Sequence, residues 1–171
     1  LGAHWLAGLL QHAAEAAVFG CSTANAFGRF RPNALAPLAA LWGRDNRGAM
    51  LRVLGGPGDA ATRIENRIGE PMANPYLFIA AQVHAGLDGL ARGLEPAAAT
   101  ESPYADTTAA ARLPGSLGEA LDALSADAGL QQAFGAPLVA CLQRVKRSEL
   151  ARHDEAEDRD AWQRREYFSR Y

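Results

Sequence analysis

Charged side chains alternate with apolar ones in the run 62–68, and this alternation is the feature that most constrains how the chain can fold. The side chains of a β-strand point to its two faces in turn, so Arg63, Glu65 and Arg67 would share one face of a strand. Ile64 would then anchor the opposite face in a core. A carboxylate between two guanidinium groups can bind a hard cation, and guanidinium groups can bind carboxylate or phosphate oxygens. The alternative interpretation is an exposed ladder of salt bridges.

The composition is that of an ordinary globular protein. Of the 171 residues, 49% are hydrophobic and 21% are charged, which is enough apolar material for one well-buried core. We expect a single domain over residues 1–171. The formal net charge is −2 and the isoelectric point is about 6.1, so no global field attracts nucleic acid or an anionic membrane. Neither is an expected partner.

The two cysteines, Cys21 and Cys141, are too few for a disulfide framework and lack the spacing of a metal site. We therefore expect free thiols in a reducing compartment and a cytoplasmic protein. No apolar stretch is long enough to span a membrane. The chain starts at Leu1, without a methionine and directly in helical sequence, which suggests a piece of a longer protein.

The first half of the sequence predicts one helix and two strands. Apolar residues at helical spacing predict a helix over residues 4–19 that ends at Gly20. A loop over 21–37, rich in glycine and proline, carries Arg29. The runs 49–54 and 61–68, separated by a glycine-rich turn, then predict an antiparallel pair of strands.

Capping residues place the remaining helices, and the predicted class is α+β, with antiparallel strands and packed helices. The markers are Asn74 with Pro75 at the start of a long helix, Gly93 at its end, Ser116 with Glu119 as a capping box, Gly135 as a helix end, and Pro137 at the start of a last long helix. The connection over 95–115 is predicted to be ordered but irregular. Trp42 and Tyr76 are expected in the core rather than against an adenine ring.

Four short blocks follow one another in a specific order. They are Asn25-Ala26-Phe27-Gly28-Arg29-Phe30-Arg31-Pro32, Arg44-Asp45-Asn46-Arg47-Gly48-Ala49-Met50-Leu51-Arg52-Val53, Arg63-Ile64-Glu65-Asn66-Arg67, and Glu70-Pro71-Met72-Ala73-Asn74-Pro75-Tyr76-Leu77. This order resembles the glutamine synthetase family, and the resemblance covers nearly the whole chain. It matches only the C-terminal part of that family's catalytic domain. The family's N-terminal β-grasp domain and the first half of its catalytic domain have no counterpart in the chain.

The resemblance implies an ATP-dependent carboxylate-amine ligase. In that family ATP phosphorylates the γ-carboxylate of glutamate, and ammonia or another amine then displaces the phosphate. The implied partners are glutamate, ATP, an amine, Mg²⁺ or Mn²⁺, and further copies of the chain in a ring-shaped oligomer whose neighbouring subunit completes the site. Such chemistry needs charge neutralisation on phosphate oxygens, which arginines and a metal-binding carboxylate provide.

The resemblance also assigns roles to individual residues. Arg29 corresponds to the arginine that holds glutamate, and Arg67 corresponds to its companion on the γ-carboxylate and the transferring phosphoryl group. Arg47 and Arg52 correspond to arginines that contact the phosphates, and Arg63 corresponds to an arginine on the nucleotide side. Glu65 corresponds to a ligand of the metal that bridges the phosphates. Arg47 and Arg52 differ in strand parity, so we expect Arg47 in the loop before the strand.

Residue 35 departs from the family pattern. The flap of the family commonly carries a glutamate that helps to bind and deprotonate ammonium, whereas the same span of this chain has Leu35. Leucine cannot accept a proton, and an apolar side chain favours an organic amine over NH₄⁺. Alternatively, other residues form the amine site. We therefore expect a γ-glutamyl ligase that takes ammonia or an organic amine, and we hypothesise that the amine is not ammonia. Tyr104 lies roughly where some bacterial members carry a tyrosine that is adenylylated, but its spacing differs, and we do not predict modification.

Two other interpretations remain open at this point. The chain could be a truncated fragment or pseudoenzyme that serves as a binding or assembly module, because a single carboxylate cannot hold the cations that phosphoryl transfer requires. A guanido-kinase-like phosphotransferase shares the broad fold and the arginine-lined phosphate site. We expect the chain by itself to be inactive under any of these interpretations.

Overall fold

The structure, a computed structural model, describes residues 1–105 and 112–170, and it is α+β as predicted. The elements in chain order are α1 (Gly2–Gln11), α2 (Ala13–Gly20), a 3₁₀ turn (Ala26–Arg29), β1 (Trp42–Arg44), β2 (Leu51–Leu54), β3 (Arg63–Asn66), α3 (Pro75–Arg92), α4 (Leu117–Ala126), α5 (Ala128–Phe134), α6 (Ala136–Asp154) and α7 (Arg159–Tyr167).

The predicted caps of two helices are confirmed. The Asn74 side chain accepts hydrogen bonds from the first turn of α3, which ends at Gly93 in the left-handed conformation, with a φ of 60°. Ser116 Oγ accepts a hydrogen bond from the backbone N–H of Glu119 at 3.1 Å, as a capping box requires. These ends are fixed by local chemistry, which is why the sequence predicts them well.

Two helices that the sequence predicts as continuous are each divided in the structure. The prediction of one helix over 4–19 is wrong, because the chain breaks at His12, whose φ of −99° and ψ of 19° are not helical. The last helix also ends early, at Asp154, and α7 begins after Asp158, whose side chain accepts a hydrogen bond from the N–H of Ala161. At the first break the His12 side chain pairs with Glu15 and Asp88, and at the second the Asp158 side chain caps the new helix.

The small sheet is mixed rather than wholly antiparallel. β2 pairs antiparallel with β3, as predicted, but a third strand, β1, pairs in parallel with β2. The sequence does not predict β1, because three residues are too few to show alternation. Both predicted strands are shorter in the structure, so Arg67 lies one residue beyond the end of β3.

Helices surround the hydrophobic core, and the buried face of the sheet packs against the same core. α1 packs along α3 at very short distance, because glycines face each other there: a Cβ on Gly8 would lie 2.9 Å from the Cα of Gly89. α2 packs against α4, and Phe19 stacks on Phe134 with ring centroids 4.4 Å apart. The core continues under the sheet through Leu51 and other fully buried side chains.

The two aromatic residues expected in the core differ in their placement. Trp42 on β1 packs against the core, and its indole N–H donates to the carbonyl of Ala97 at 2.6 Å. Tyr76 is 83% exposed, so the prediction for it is wrong. Its position in the first turn of α3 turns it away from the helices that α3 covers. In the described part of the chain, no helix combines the length and the apolar character that crossing a membrane requires.

Candidate active site

Two guanidinium groups bind one carboxylate on the exposed face of the sheet. The register of β2 and β3 places Arg52 directly opposite Glu65. Nη1 of Arg52 lies 3.0 Å from one oxygen of Glu65, and Nη1 of Arg67 lies 2.5 Å from the other. The alternation of side chains that the sequence predicts therefore does bring Glu65 and Arg67 together, and strand pairing adds Arg52.

Arg67 connects three separate segments. In addition to Glu65, its Nε donates to the backbone carbonyl of Arg47 at 2.9 Å, and its Nη2 donates to the carbonyl of Leu35 at 3.1 Å. One side chain therefore links the end of β3 to the turn before β2 and to the flap over 32–37. This link keeps Leu35 next to the guanidinium-carboxylate cluster.

Asp45, a residue that the sequence pattern did not predict for the site, binds the other side of Arg52. Nε of Arg52 donates to Oδ1 of Asp45 at 2.9 Å, and Nη2 donates to the same oxygen. Asp45 has a φ of 47°, in the left-handed region that aspartate tolerates better than most residues. An acidic residue in a turn between two strands was the available signal, but the turn itself could not be predicted without β1.

The charges of this cluster stabilise one another. Desolvation of the Glu65 carboxyl would raise its pKa, but the guanidinium groups of Arg52 and Arg67 outweigh that effect and lower the pKa below its ordinary value. Asp45 and Glu65 together raise the pKa of Arg52 above its ordinary value. Glu65 is therefore ionised at neutral pH.

Arg47 lies in the turn between β1 and β2, where the parity argument places it. Its side chain is exposed and borders an open cavity of about 400 Å³ whose wall also includes Leu35, Gly48, Pro103 and Tyr104. Glycine is needed at position 48 because a Cβ there would lie 2.7 Å from the Pro103 ring. The cavity thus lies directly beside the segments that Arg67 holds.

Arg29 is near Arg67 in space, but its guanidinium points to backbone rather than to Glu65. Nη1 donates to the carbonyl of Arg67 at 3.3 Å, and Nη2 donates to the carbonyl of Ile68. Its Nε is buried and has no hydrogen-bond partner among the described residues. Arg29 thus supports the strand end from which the Arg67 side chain projects.

Arg63 stands apart from the cluster. Its Nη1 donates to the carbonyl of Ala61 at 3.0 Å, and the side chain is exposed. It borders a second, mostly apolar cavity of about 550 Å³ that lies between the start of α1 and the sheet, with Trp5, Trp42 and Ile64 in its wall. The structure therefore brings together Arg52, Glu65 and Arg67, with Arg47 beside them, whereas the guanidinium of Arg63 binds a backbone carbonyl.

Among the described residues at this face, the carboxylates of Glu65 and Asp45 are possible metal ligands, and both bind Arg52. Elsewhere in the described ranges, three side chains have possible ligand atoms close enough together to hold a metal ion: His12, Glu15 and Asp127. Those side chains pair with one another, and His12 also binds Asp88 at 2.9 Å. His12 is thus buried among acidic side chains, which is the placement of a structural residue.

Comparison with known proteins identifies the family. Residues 1–167 match the model of the glutamine synthetase catalytic domain, and the chain belongs to that family. It is 40% identical to a gamma-glutamylanilide synthase from Acinetobacter sp over 99% of this chain and 35% of that protein. It is 39% identical to a glutamine synthetase from Thermococcus kodakarensis over 77% of this chain and 31% of that protein. The chain thus spans about a third of the length of these relatives.

Solved structures have the same fold. A structure described as a GmaS/ADP complex superposes with a TM-score of 0.78 at 30% identity, covering 98% of this chain and 39% of that one. A GmaS structure without ligand superposes with a TM-score of 0.79 at 32% identity, covering 98% and 38%. The arrangement of the sheet and helices is therefore that of a glutamine-synthetase-like catalytic domain.

Proposed function

We propose that this chain carries the arginine-rich half of the active site of an ATP-dependent carboxylate-amine ligase. The reaction joins glutamate to ammonia or an organic amine and gives a γ-glutamyl amide. The observation that carries the proposal is the Glu65 carboxylate bound between Arg52 and Arg67 on one face of the sheet. Family membership supports it, as do a relative named for γ-glutamylanilide and a structural neighbour solved with ADP.

The proposed chemistry has two steps. An oxygen of the γ-carboxylate attacks the γ-phosphorus of ATP, and ADP leaves. The amine nitrogen then attacks the acyl carbon of γ-glutamyl phosphate, and inorganic phosphate leaves with the bonding electrons while the nitrogen loses a proton. Both steps gather negative charge on phosphate oxygens, so positioned guanidinium groups lower the barrier.

The residues take the following parts in this proposal. Arg67 binds the γ-carboxylate and the transferring phosphoryl group, Arg29 holds glutamate, Arg47 and Arg52 contact the phosphates, and Arg63 contacts the nucleotide. In the structure Arg29 is bound to backbone carbonyls, so it would reach glutamate only with its remaining N–H groups. Arg52 and Arg67 each keep donors free beyond those that bind acidic groups, since a guanidinium has five.

Glu65 fits one ligand position of a divalent cation, Mg²⁺ or Mn²⁺. Its carboxylate is ionised and partly exposed, and although each oxygen already accepts a hydrogen bond, a carboxylate has further lone pairs. Mg²⁺ takes six oxygen ligands, so one carboxylate needs phosphate oxygens, water or other protein groups beside it. When bound, the cation would supply charge neutralisation on the phosphates.

The flap supports an organic amine as the second substrate. Leu35 is 55% exposed and borders the cavity beside Arg47. An apolar side chain at this place offers no base for ammonium but packs favourably against the hydrocarbon part of an amine. The relative at 40% identity is named for an anilide, whose amine is aromatic. We therefore propose an organic amine, with an aromatic amine as the first candidate.

The rest of the site would come from outside this chain. On this face the described residues hold two carboxylates, Glu65 and Asp45, and both are bound to Arg52. The chain spans 35% and 31% of the two curated relatives. We propose that residues 1–171 form one domain, which is the C-terminal portion of the catalytic domain. Further family segments and a neighbouring subunit of an oligomer would supply the missing carboxylates. The chain by itself would therefore be inactive.

The test is amide formation by the native protein that carries this sequence. Purified protein is mixed with glutamate, ATP, Mg²⁺ and one of several amines, including ammonia, methylamine and aniline. ADP release and the mass of the product are measured. We expect ADP and a γ-glutamyl amide in equal amounts, and an organic amine preferred over ammonia.

A pair of arginine variants separates the site from the surface. Arg67→Gln should lower kcat/KM by about a hundredfold or more, because a donor aimed at developing charge is lost. Arg144→Gln, an exposed change on α6 that removes the same charge, should stay within about twofold. The proposal is wrong if no amine yields an amide, or if both variants behave alike.

A further inference from the structure

The loop that carries Arg29 is held from behind by the last helix. The hydroxyl of Tyr167 on α7 accepts a hydrogen bond from the backbone N–H of Ala24 at 3.0 Å, although the two residues are 143 positions apart. The same hydroxyl donates to Oε1 of Glu149 on α6 at 2.7 Å. One phenol therefore ties the loop after α2 to both C-terminal helices.

This contact is buried and well defined. Tyr167 is 3% exposed and Glu149 is 4% exposed. The other oxygen of Glu149 binds Nζ of Lys146 at 2.8 Å, so the buried charge is compensated. Burial, and next the hydrogen bond to Glu149, raise the pKa of Tyr167 well above its ordinary value, so the phenol keeps the proton that it donates.

Backbone hydrogen bonds between residues close in the sequence carry the restraint from Ala24 to Arg29. The N–H of Ala26 donates to the carbonyl of Thr23 at 3.2 Å, and the N–H of Gly28 donates to the carbonyl of Asn25 at 3.2 Å. These bonds form the turn that ends at Arg29. Holding Ala24 therefore holds the whole turn in place.

Arg29 passes the restraint on to the strand end. Its guanidinium donates to the carbonyls of Arg67 and Ile68, and a cation-π contact with Phe30 at 4.7 Å fixes the guanidinium from the side. The position of Arg67, which binds Glu65, thus depends on the loop that Tyr167 holds.

We propose that Tyr167, supported by Glu149, is a positioning residue for Arg29 and for the strand end that carries Arg67. It acts through the backbone N–H of Ala24 and does not itself touch a substrate. The kinetic consequence rests on the function proposed above, because it assumes that Arg29 and Arg67 bind glutamate. The structural consequence, which is the restraint on the loop at Ala24, does not depend on that function.

Amide hydrogen exchange tests the structural part. Tyr167→Phe removes the hydroxyl but keeps the ring, which packs edge-on against Trp162 at 5.7 Å. We expect exchange at Ala24, Ala26 and Gly28 to become about three- to tenfold faster, as for the loss of one buried hydrogen bond. Trp162→Phe is the control, because it alters the ring against which Tyr167 packs but keeps the hydroxyl that binds Ala24.

Steady-state kinetics of the native protein test the functional part. Tyr167→Phe should raise the KM for glutamate by about three- to tenfold while kcat and the KM for ATP stay within about twofold. Glu149→Gln keeps an acceptor for the phenol and should show a smaller rise. Trp162→Phe should leave the KM for glutamate unchanged even where it lowers stability.

Arg29→Gln in the same assay tells two failures apart. If Arg29→Gln raises the KM for glutamate but Tyr167→Phe matches Trp162→Phe, the positioning role is overturned. If Arg29→Gln leaves that KM unchanged, the substrate role of Arg29 and the kinetic part of this proposal fail together. Unchanged exchange at Ala24 in Tyr167→Phe overturns the positioning role whatever the kinetics show.

Discussion

Oε1 of Glu65 lies 2.5 Å from Nη1 of Arg67, the residue two places further along the chain, while its Oε2 lies 3.0 Å from Arg52 on the neighbouring strand. Asp45 binds the other side of Arg52, so two positive and two negative charges meet on the exposed face of the sheet. The guanidinium N–H groups that these carboxylates leave free can still donate hydrogen bonds to an anion.

Replacing Glu65 by glutamine should impair activity much more than stability. The amide keeps the shape of the side chain but loses the charge that binds Arg52, Arg67 and a cation. We expect kcat/KM of the native protein to fall about a hundredfold or more. The free energy of unfolding should change by only about 1 kcal/mol or less, because the side chain is 36% exposed. Urea unfolding and steady-state kinetics on the same preparation check both numbers, and a large stability loss with little effect on kcat/KM would point to a purely structural pair.

Leu35→Glu should shift amine preference toward ammonia. A carboxylate at this position can accept a proton from ammonium, and it disfavours the hydrocarbon part of an organic amine. We expect the ratio of kcat/KM for ammonia to that for aniline to rise by about tenfold or more. Leu35→Gln, which has nearly the same size but no charge, is the matched control. Equal ratios in the two variants would remove Leu35 from the amine site.

The ion pairs of His12 should make stability fall at high pH. The hydrogen bond to Glu15, and then the partners Asp88 and Asp127, raise the pKa of His12 from 6.5 to about 9 despite burial, which lowers it. The protonated ring therefore stabilises the fold in full below about pH 6.5, and this contribution is lost as the pH rises through about 9.

Urea unfolding of the wild-type chain and His12→Gln measures this contribution. The difference in unfolding free energy between them should shrink by roughly 2–3 kcal/mol between about pH 6 and about pH 10. His84→Gln is a control, because the His84 ring contacts Phe134 and has no ion pair in the described structure. A difference that is independent of pH would show that His12 acts through packing alone.

The close contact of α1 and α3 should not tolerate a methyl group. A Cβ on Gly8 would collide with the carbonyl of Ala85 and lie 2.9 Å from the backbone of Gly89. Gly8→Ala should therefore lower the free energy of unfolding by about 1–3 kcal/mol, in spite of the better helix propensity of alanine. Gly2→Ala on the same helix has nothing within 4 Å and should cost nothing. Thermal or urea unfolding of the two variants decides between crowding and propensity.

Local chemistry made much of the fold predictable. Asn74, Gly93 and Ser116 satisfy backbone groups within a few residues of themselves, so the sequence predicts the ends of α3 and the start of α4. The break at His12 was missed because the partners of its side chain, Asp88 on α3 and Asp127 between α4 and α5, are far away in the sequence. β1 was missed because a three-residue strand is formed by its neighbour rather than by its own propensity.

The candidate site shows the same division. The sequence by itself determined that Glu65 and Arg67 share a face, because a strand's side chains alternate whatever surrounds it. Only the tertiary structure decided that Arg52 lies opposite Glu65, that Arg29 turns to backbone carbonyls, and that Tyr167 holds the loop at Ala24. Those contacts join segments far apart in the chain, and they form only where packing brings the segments together, which no local pattern records.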